Sequence, residues 1–216
     1  MASNNVLRWR DGRGWFVFSG STGSDVVRAA ALGRASADGG LAYVCMGAAD
    51  ACEQVLEDLE DLGAPSGYLV DVLSEADDAV REKLSEAGII VISEAGDAGA
   101  IRSALMGAAA EGILAAYANG ALILLEGAAV AVAGNWIALD NGDVLTGLSW
   151  VDSAVFVPGA ARVSDFPEVR GVLVDQPEAV AVGIGADSAL VLGPDGEIET
   201  WGRRHISIVL GSGYNQ

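Results

Sequence analysis

The sequence predicts an α/β domain, a three-layer sandwich with a mostly parallel central sheet and an antiparallel C-terminal extension. Three observations lead there. Short apolar runs alternate with amphipathic stretches over the first two thirds, which is the signature of βαβ units. The apolar runs are continuous rather than alternating, as in strands covered on both faces. The tail changes character and becomes a series of strand-like segments. At 216 residues and 51% hydrophobic content the chain suits one ample domain over 1–216, with βαβ units over 1–145 and a β-rich extension of the same domain over 146–216.

In chain order, Trp15–Phe18 reads as the first strand, followed by the small-residue turn Ser19–Gly23. Ser24 or Asp25 is expected to cap a helix to about Ala37. Leu41–Met46 is a second strand. Asp50–Leu62 places Ala51, Val55, Leu59 and Leu62 at helical spacing, with Glu53, Glu57, Asp58, Glu60 and Asp61 as a solvated face. After the loop Gly63–Gly67, Tyr68–Val72 is a third strand, and Ser74 with Asp77 approximates a capping box for a helix to about Ala87. Ile89–Ile92 is a fourth strand, with a helix expected from about Ala98 to Ala109. Leu122–Leu125 is a fifth strand, and Gly127–Gly134 a buried helix. Val151–Val157, Ala181–Ile184, Ser188–Leu192, Glu197–Trp201 and Ile206–Leu210 are strand-like, and Gly193–Gly196 is a turn. This tail is expected to extend or edge the same sheet.

A net charge of −18 repels phosphate backbones and anionic bilayers, so neither nucleic acid nor membrane is expected as a partner. Gly112–Leu139 is long enough to span a bilayer, yet Glu126 sits near its centre and basic flanks are missing. A buried strand and a buried helix fit it better. Met1–Asp11 has no apolar run of a signal peptide. Cys45 and Cys52 form no disulfide framework and read as buried, reduced thiols, which points to the cytoplasm. One His and two separated Cys give no metal-ligand cluster, and neither a metal nor a cofactor is expected. Gly20–Gly23 lacks the Lys of a P-loop and the third glycine of a dinucleotide fingerprint, and reads as a tight turn. The five Trp are too spread for an aromatic cage and are expected in packing.

In an open α/β sheet, ligands bind beyond the carboxyl ends of the strands. Four segments qualify: Ser19–Gly23, Met46–Ala49, Ser93–Asp97 and Leu125–Ala129. The last is a strand turning into a small-residue helix, the setting of a nucleophile elbow.

The chain here resembles the peptidase S51 family of cyanophycinases and aspartyl dipeptidases, which have the class I glutamine amidotransferase-like (flavodoxin-like) fold. Phe18-Ser19-Gly20 sits where the family has a glycine pair after strand one, and Ser93–Ala98 where it has a Gly-Gly-Asp-Gln-like loop. Leu124–Gly134 sits where the family has its Gly-(Ser/Thr)-Ser-Ala-Gly-Ala elbow. Gly147-Leu148, Val157-Pro158-Gly159, Gly183-Ile184-Gly185 and Ala189-Leu190 follow the family's C-terminal order. The resemblance implies the fold. It does not carry the activity, because the nucleophile position falls on Gly127, or on Glu126 with another gap, and no Ser, Thr or Cys occurs over 111–135. The catalytic His position reads Pro158-Gly159-Ala160-Ala161-Arg162, and the loop glutamine is Ala98. Serine chemistry needs both nucleophile and base. His205, the single histidine, reads as a surface or edge residue.

Glu126 is expected to face the N-terminus of the following helix, where the macrodipole favours an acid, either as a structural cap or as a polar group of a ligand pocket. The candidate pocket is Ser19, Gly20, Gly96, Asp97, Glu126, Gly127 and Arg162, with no catalytic residue assigned. The leading expectation is a non-catalytic binding or interaction protein, a homodimer taking a small-molecule or peptide ligand. Its rivals are a hydrolase with a rebuilt site using Glu126 or Asp97, acting on a small peptide or amino-acid derivative, and a small-ligand sensor. At −18, a cationic ligand suits the chain better than an anionic one.

Overall fold

A computed structural model describes residues 6–35, 39–94, 96–139 and 141–215. Ala37 at the expected end of the first helix, Ala95 in the Ser93–Asp97 loop and Asp140 lie outside these residues, as does the start of the leader reading at Met1–Asn5. Strand β1 is Arg8–Trp9, followed by β2 Trp15–Ser19, α1 Asp25–Arg34, β3 Leu41–Cys45, α2 Ala49–Asp61, β4 Gly67–Asp71, α3 Asp77–Ser85 and β5 Ile89–Glu94. Helices α4 Ala98–Leu105 and α5 Ala108–Asn119 lead to β6 Leu122–Gly127 and a 3-10 helix Ala128–Ala133. Then come β7 Trp136–Ala138, β8 Val144–Thr146, β9 Val151–Asp152, β10 Ala154–Gly159, α6 Pro167–Asp175, β11 Val180–Gly185, β12 Ser188–Leu192, β13 Ile198–Gly202 and β14 Ile206–Leu210.

The central sheet has the order β13-β12-β2-β6-β5-β3-β4. Its five strands from β2 to β4 are parallel, and β12 and β13 extend it antiparallel. The mostly parallel α/β fold read from the sequence is therefore present. Alternate residues of each strand feed two cores. Phe16, Phe18, Ile90, Ile92, Ile123 and Leu125 pack with Val80, Leu84, Ile101 and Ile113 on the side of α3, α4 and α5. Val17, Leu41, Val91, Leu122 and Leu124 pack with Val27, Ala31 and Leu59 on the side of α1 and α2. Two-sided burial is why these strands read as unbroken apolar runs.

The tail departs from the expected edge of one sheet. Only β12 and β13 join the central sheet; β10, β11 and β14 form a second, five-stranded sheet of order β14-β11-β10-β7-β8. Within it β10 and β11 are parallel, and β14 returns antiparallel to β11. One face of this sheet, through Phe156, Val180, Val182 and Ile184, closes the larger core, and the other packs Val155 and Ala181 against Val169 and Val172 of α6. In β10 and β11 the residues on both faces are covered, so these strands offered no polar alternation to betray a separate sheet.

Smaller differences have local causes. The expected helix over 98–109 breaks into α4 and α5 at Gly107, whose φ is 79°. The Gly127–Gly134 segment is helical and buried, but as a 3-10 helix. Ser74 does not cap α3; it is held by Asp71, and Ala76 occupies the N-cap. In α2 the inward stripe is Cys52, Val55, Leu56 and Leu59, while Ala51 faces out. Glu53, Glu57, Asp58, Glu60 and Asp61 are exposed, as expected. Cys45 and Cys52 are buried but not reduced: they form a disulfide between the end of β3 and the first turn of α2. A loop that returns after three residues into a helix brings the two Cα atoms to 5.8 Å, a distance a disulfide spans. The cytoplasmic expectation loses that support. No helix among the described residues is long and apolar enough to cross a membrane.

Trp150 is fully buried and forms with Phe16 and Tyr117 a stacked aromatic group, the Phe16 and Tyr117 rings lying 4.1 Å apart. The Tyr117 hydroxyl donates to the Arg10 carbonyl at 3.0 Å. Burial, with the charge of Asp11, pushes this phenol up to about 12 from an ordinary 10.0. A raised folded value means stability held below the unfolded value and lost as pH rises through the folded one. An alkaline melting series is thus expected to show the protein weakening between pH 10 and about 12, with Tyr117→Phe removing the part of that loss owed to the phenol.

Candidate functional site

Strand β6 lies between β2 and β5, and its carboxyl end carries Glu126 paired across to Ser19 and Ser93. Gly127 follows with φ 58° and ψ −133°, and the chain turns directly into the 3-10 helix. This backbone conformation is unfavourable for L-residues and is the strained strand-to-helix turn of a nucleophile elbow. The elbow is present, and the residue at its tip has no side chain.

Glu126 points the other way. It is fully buried, and so nearly is Arg28 of α1, at 4% exposure. Arg28 donates from Nη2 to Glu126 Oε2 at 2.7 Å and from Nε to Oε1 at 3.0 Å. The Gly23 amide donates to Oε2 at 3.3 Å. Glu126 is thus satisfied by a cation from α1 and by the turn before it, on the face opposite the 3-10 helix. The expected contact with the following helix N-terminus is replaced by this pair. Burial works against the Arg28 charge, but the hydrogen bonds and charge of Glu126 outweigh it and hold the guanidinium above its ordinary value.

Beside the elbow lies a cleft of about 480 Å³. Gly96, Asp97 and Ala98 form one wall, Ala128 and Ala131 the floor, and Phe156–Pro158 with Phe166, Glu168 and Val169 the far side. Asp97 caps α4 by accepting from the Gly99 amide at 3.1 Å. Glu168 is half-buried and makes no hydrogen bond or ion pair among the described residues. The lining is apolar with two carboxylates and no cation. Clefts of comparable size occur near Trp9 and Pro194, before β2, and near Asn135 and Glu178, before β10 and β11. Both lie away from the carboxyl ends of the strands, where this fold binds ligands.

Of the seven residues expected to share one pocket, Gly96 and Asp97 line this cleft, and Gly127 immediately precedes its floor residue Ala128. The other four are elsewhere. Ser19 is buried, donating to the Ser21 carbonyl at 2.8 Å. Gly20 is pressed against β11, where a Cβ would stand 2.2 Å from the Gly185 carbonyl oxygen. Glu126 is sealed by Arg28. Arg162 is exposed and pairs with Asp165 at 3.2 Å. His205 is exposed at the start of β14 and is not among the residues lining the cleft. Among the described residues no group of three or more His, Cys, Asp or Glu is placed to hold a metal. Arg28 escaped the sequence reading. Its signal was an Arg beside Val27 and Ala31 on the inward stripe of α1, opposite a buried acid that required a cation.

No family model matches the chain, and no curated protein matches it in sequence. Solved structures do share its fold. A peptidase from an acI-B1 Actinobacterium superposes with a TM-score of 0.72 at 16% identity, over 94% of this chain and 93% of that one. A putative peptidase E protein from Listeria monocytogenes EGD-e superposes with a TM-score of 0.61 at 16% identity, over 87% of this chain and 97% of that one. At such identity the likeness is one of fold.

Proposed function

We propose that this chain is a non-catalytic homologue of S51-type peptidases that keeps the elbow cleft as a binding site for a small peptide or amino-acid derivative. The observation that carries the reading is Gly127: the turn that would present a nucleophile is intact, and it presents none. Two further facts support it. Glu126, the acid nearest the elbow, is tied to Arg28 and has no exposure through which to reach a substrate. The segment at the histidine position, Pro158–Arg162, lines the cleft only with Pro158. Acyl transfer needs a nucleophile, a base and an oxyanion site together. A hydrolase rebuilt around Glu126 is disfavoured by the same pairing.

The test is hydrolysis of a panel of aspartyl and other dipeptides, alongside labelling by a fluorophosphonate. No turnover above the uncatalysed rate and no adduct are expected. Gly127→Ser is expected to gain neither, since no histidine lines the cleft. Thermal stabilisation by millimolar dipeptides or amino acids would mark the retained binding site. Dipeptide turnover that Asp97→Asn or Glu168→Gln abolishes, with the melting temperature unchanged, would overturn the proposal.

A further inference from the structure

Strand β14 is a free edge of the second sheet, and its pairing with β11 fixes which backbone groups are unused. Gly185 donates to the His205 carbonyl, and Gly211 donates to the Ala179 carbonyl. The pairs 185↔205 and 179↔211 are therefore hydrogen-bonded pairs, and alternation makes 181↔209 and 183↔207 the others. Odd-numbered residues of β14 face β11. Ile206, Ile208 and Leu210 turn their backbone groups outward. The Ile206 amide is taken by the Arg204 carbonyl. The amides of Ile208 and Leu210 and the carbonyls of all three have no partner among the described residues. Their side chains share one face of the sheet, and Ile208 and Leu210 are 51% and 41% exposed.

We infer that β14 is a homodimer interface, in which two copies pair their β14 strands antiparallel about a two-fold axis through Ile208. In that register each Ile208 amide meets the other's Ile208 carbonyl, and each Leu210 amide meets an Ile206 carbonyl. The pairing uses every one of these free groups except the Leu210 carbonyl, whose partner amide at Ile206 is already taken. Charge selects the occupant. Two chains at −18 repel except where they meet without acids. Ile206–Leu210 carries none, whereas the central sheet's edges carry Glu199 in β13 and Asp71 in β4, and Asp143 precedes β8. The approach to β14 is basic, Arg203-Arg204-His205, and Arg204 makes no ion pair among the described residues. The departing end carries no charge of its own but lies beside Glu178, which is exposed: Tyr214 donates to the Glu178 backbone carbonyl, and Gly213 to that of Pro177. Antiparallel self-pairing lays the basic end of each strand toward Glu178 of the other copy. A second copy of this chain supplies both the backbone pattern and the charge pattern. An exposed apolar edge left open would otherwise invite aggregation.

Light scattering across a concentration series tests this without reference to any ligand or activity. The expected mass is twice 21.9 kDa at the upper concentrations. Ile208→Lys sets two cations against each other on the axis and is expected to give a monomer. Ile208→Pro removes an outward amide that β11 does not use, and is expected to do the same while circular dichroism remains native. Ile208→Cys should cross-link two chains on mild oxidation, because directly opposed Cα atoms of such a pair lie about 5.5 Å apart. A monomer at every concentration overturns the inference. So does a dimer that survives both Ile208→Lys and Ile208→Pro.

Discussion

Replacing Glu126 by Ala should lower stability by about 3–5 kcal/mol, a loss readable in denaturant melts as an earlier midpoint at unchanged slope. Arg28 would keep its charge at 4% exposure with its carboxylate gone, and the Gly23 amide would lose its acceptor. Glu126→Gln tests the charge separately from the volume. The amide can still accept one bond from Arg28, but the guanidinium remains uncompensated, so a smaller but clear loss is expected. The double variant Glu126→Leu with Arg28→Met should recover much of it, because apolar pairs commonly match or exceed the buried ion pairs they replace. The cycle discriminates between roles. A structural pair gives large, strongly coupled stability changes. A catalytic carboxylate would instead leave Glu126→Gln near native stability and cost turnover. Equal stability of Glu126→Gln and the parent would refute the structural role.

How much of this was legible follows from what each residue type can signal. The parallel strands were plain because Phe16–Phe18, Leu41–Cys45, Ile89–Ile92 and Leu122–Leu125 are buried on both sides and so read as unbroken apolar runs. The elbow was legible at Leu125–Ala129, since glycine followed by alanines permits a positive φ and a tight exit. Long-range pairings were not legible. Nothing in the spacing of 98 residues ties Arg28 to Glu126, and the sequence offered only Glu126's local choices, the following helix or an open pocket. Arg162 and Ser19 were drawn into the pocket through position in sequence alone. The division of the tail into two sheets was hidden for a similar reason. Strands β11 and β12 are separated only by Ala186 and Asp187, and Asp187 takes a φ of 53° where the chain passes from one sheet to the other. Helix α6 escaped because Pro167 opens it without a polar cap, and its inward residues Val169 and Val172 are too few to establish a period.

Removing the Cys45–Cys52 disulfide is expected to cost about 2 kcal/mol, lowering the melting temperature of a chain this size by about 4–8 °C. The bond closes a short loop, so the entropy it removes from the unfolded chain is modest, and the figure sits below that of long-loop disulfides. Both sulfurs lie in the core beneath α1 and α2, at 2% and 6% exposure, so the native protein should resist reduction until it opens. The paired variant Cys45→Ser with Cys52→Ser should melt early yet fold, because Tyr43, Leu59 and Val91 still hold α2 on the sheet. Cys45→Ala with Cys52→Ala separates loss of the bond from burial of hydroxyls and should lose less. Thiol titration supplies the direct check. Denatured, unreduced protein should show no free thiol, and reduced protein should show both. Free thiols before reduction, or an unchanged melting temperature in both paired variants, would return the cysteines to the reduced state that their spacing alone had suggested, and with it the case for a reducing compartment.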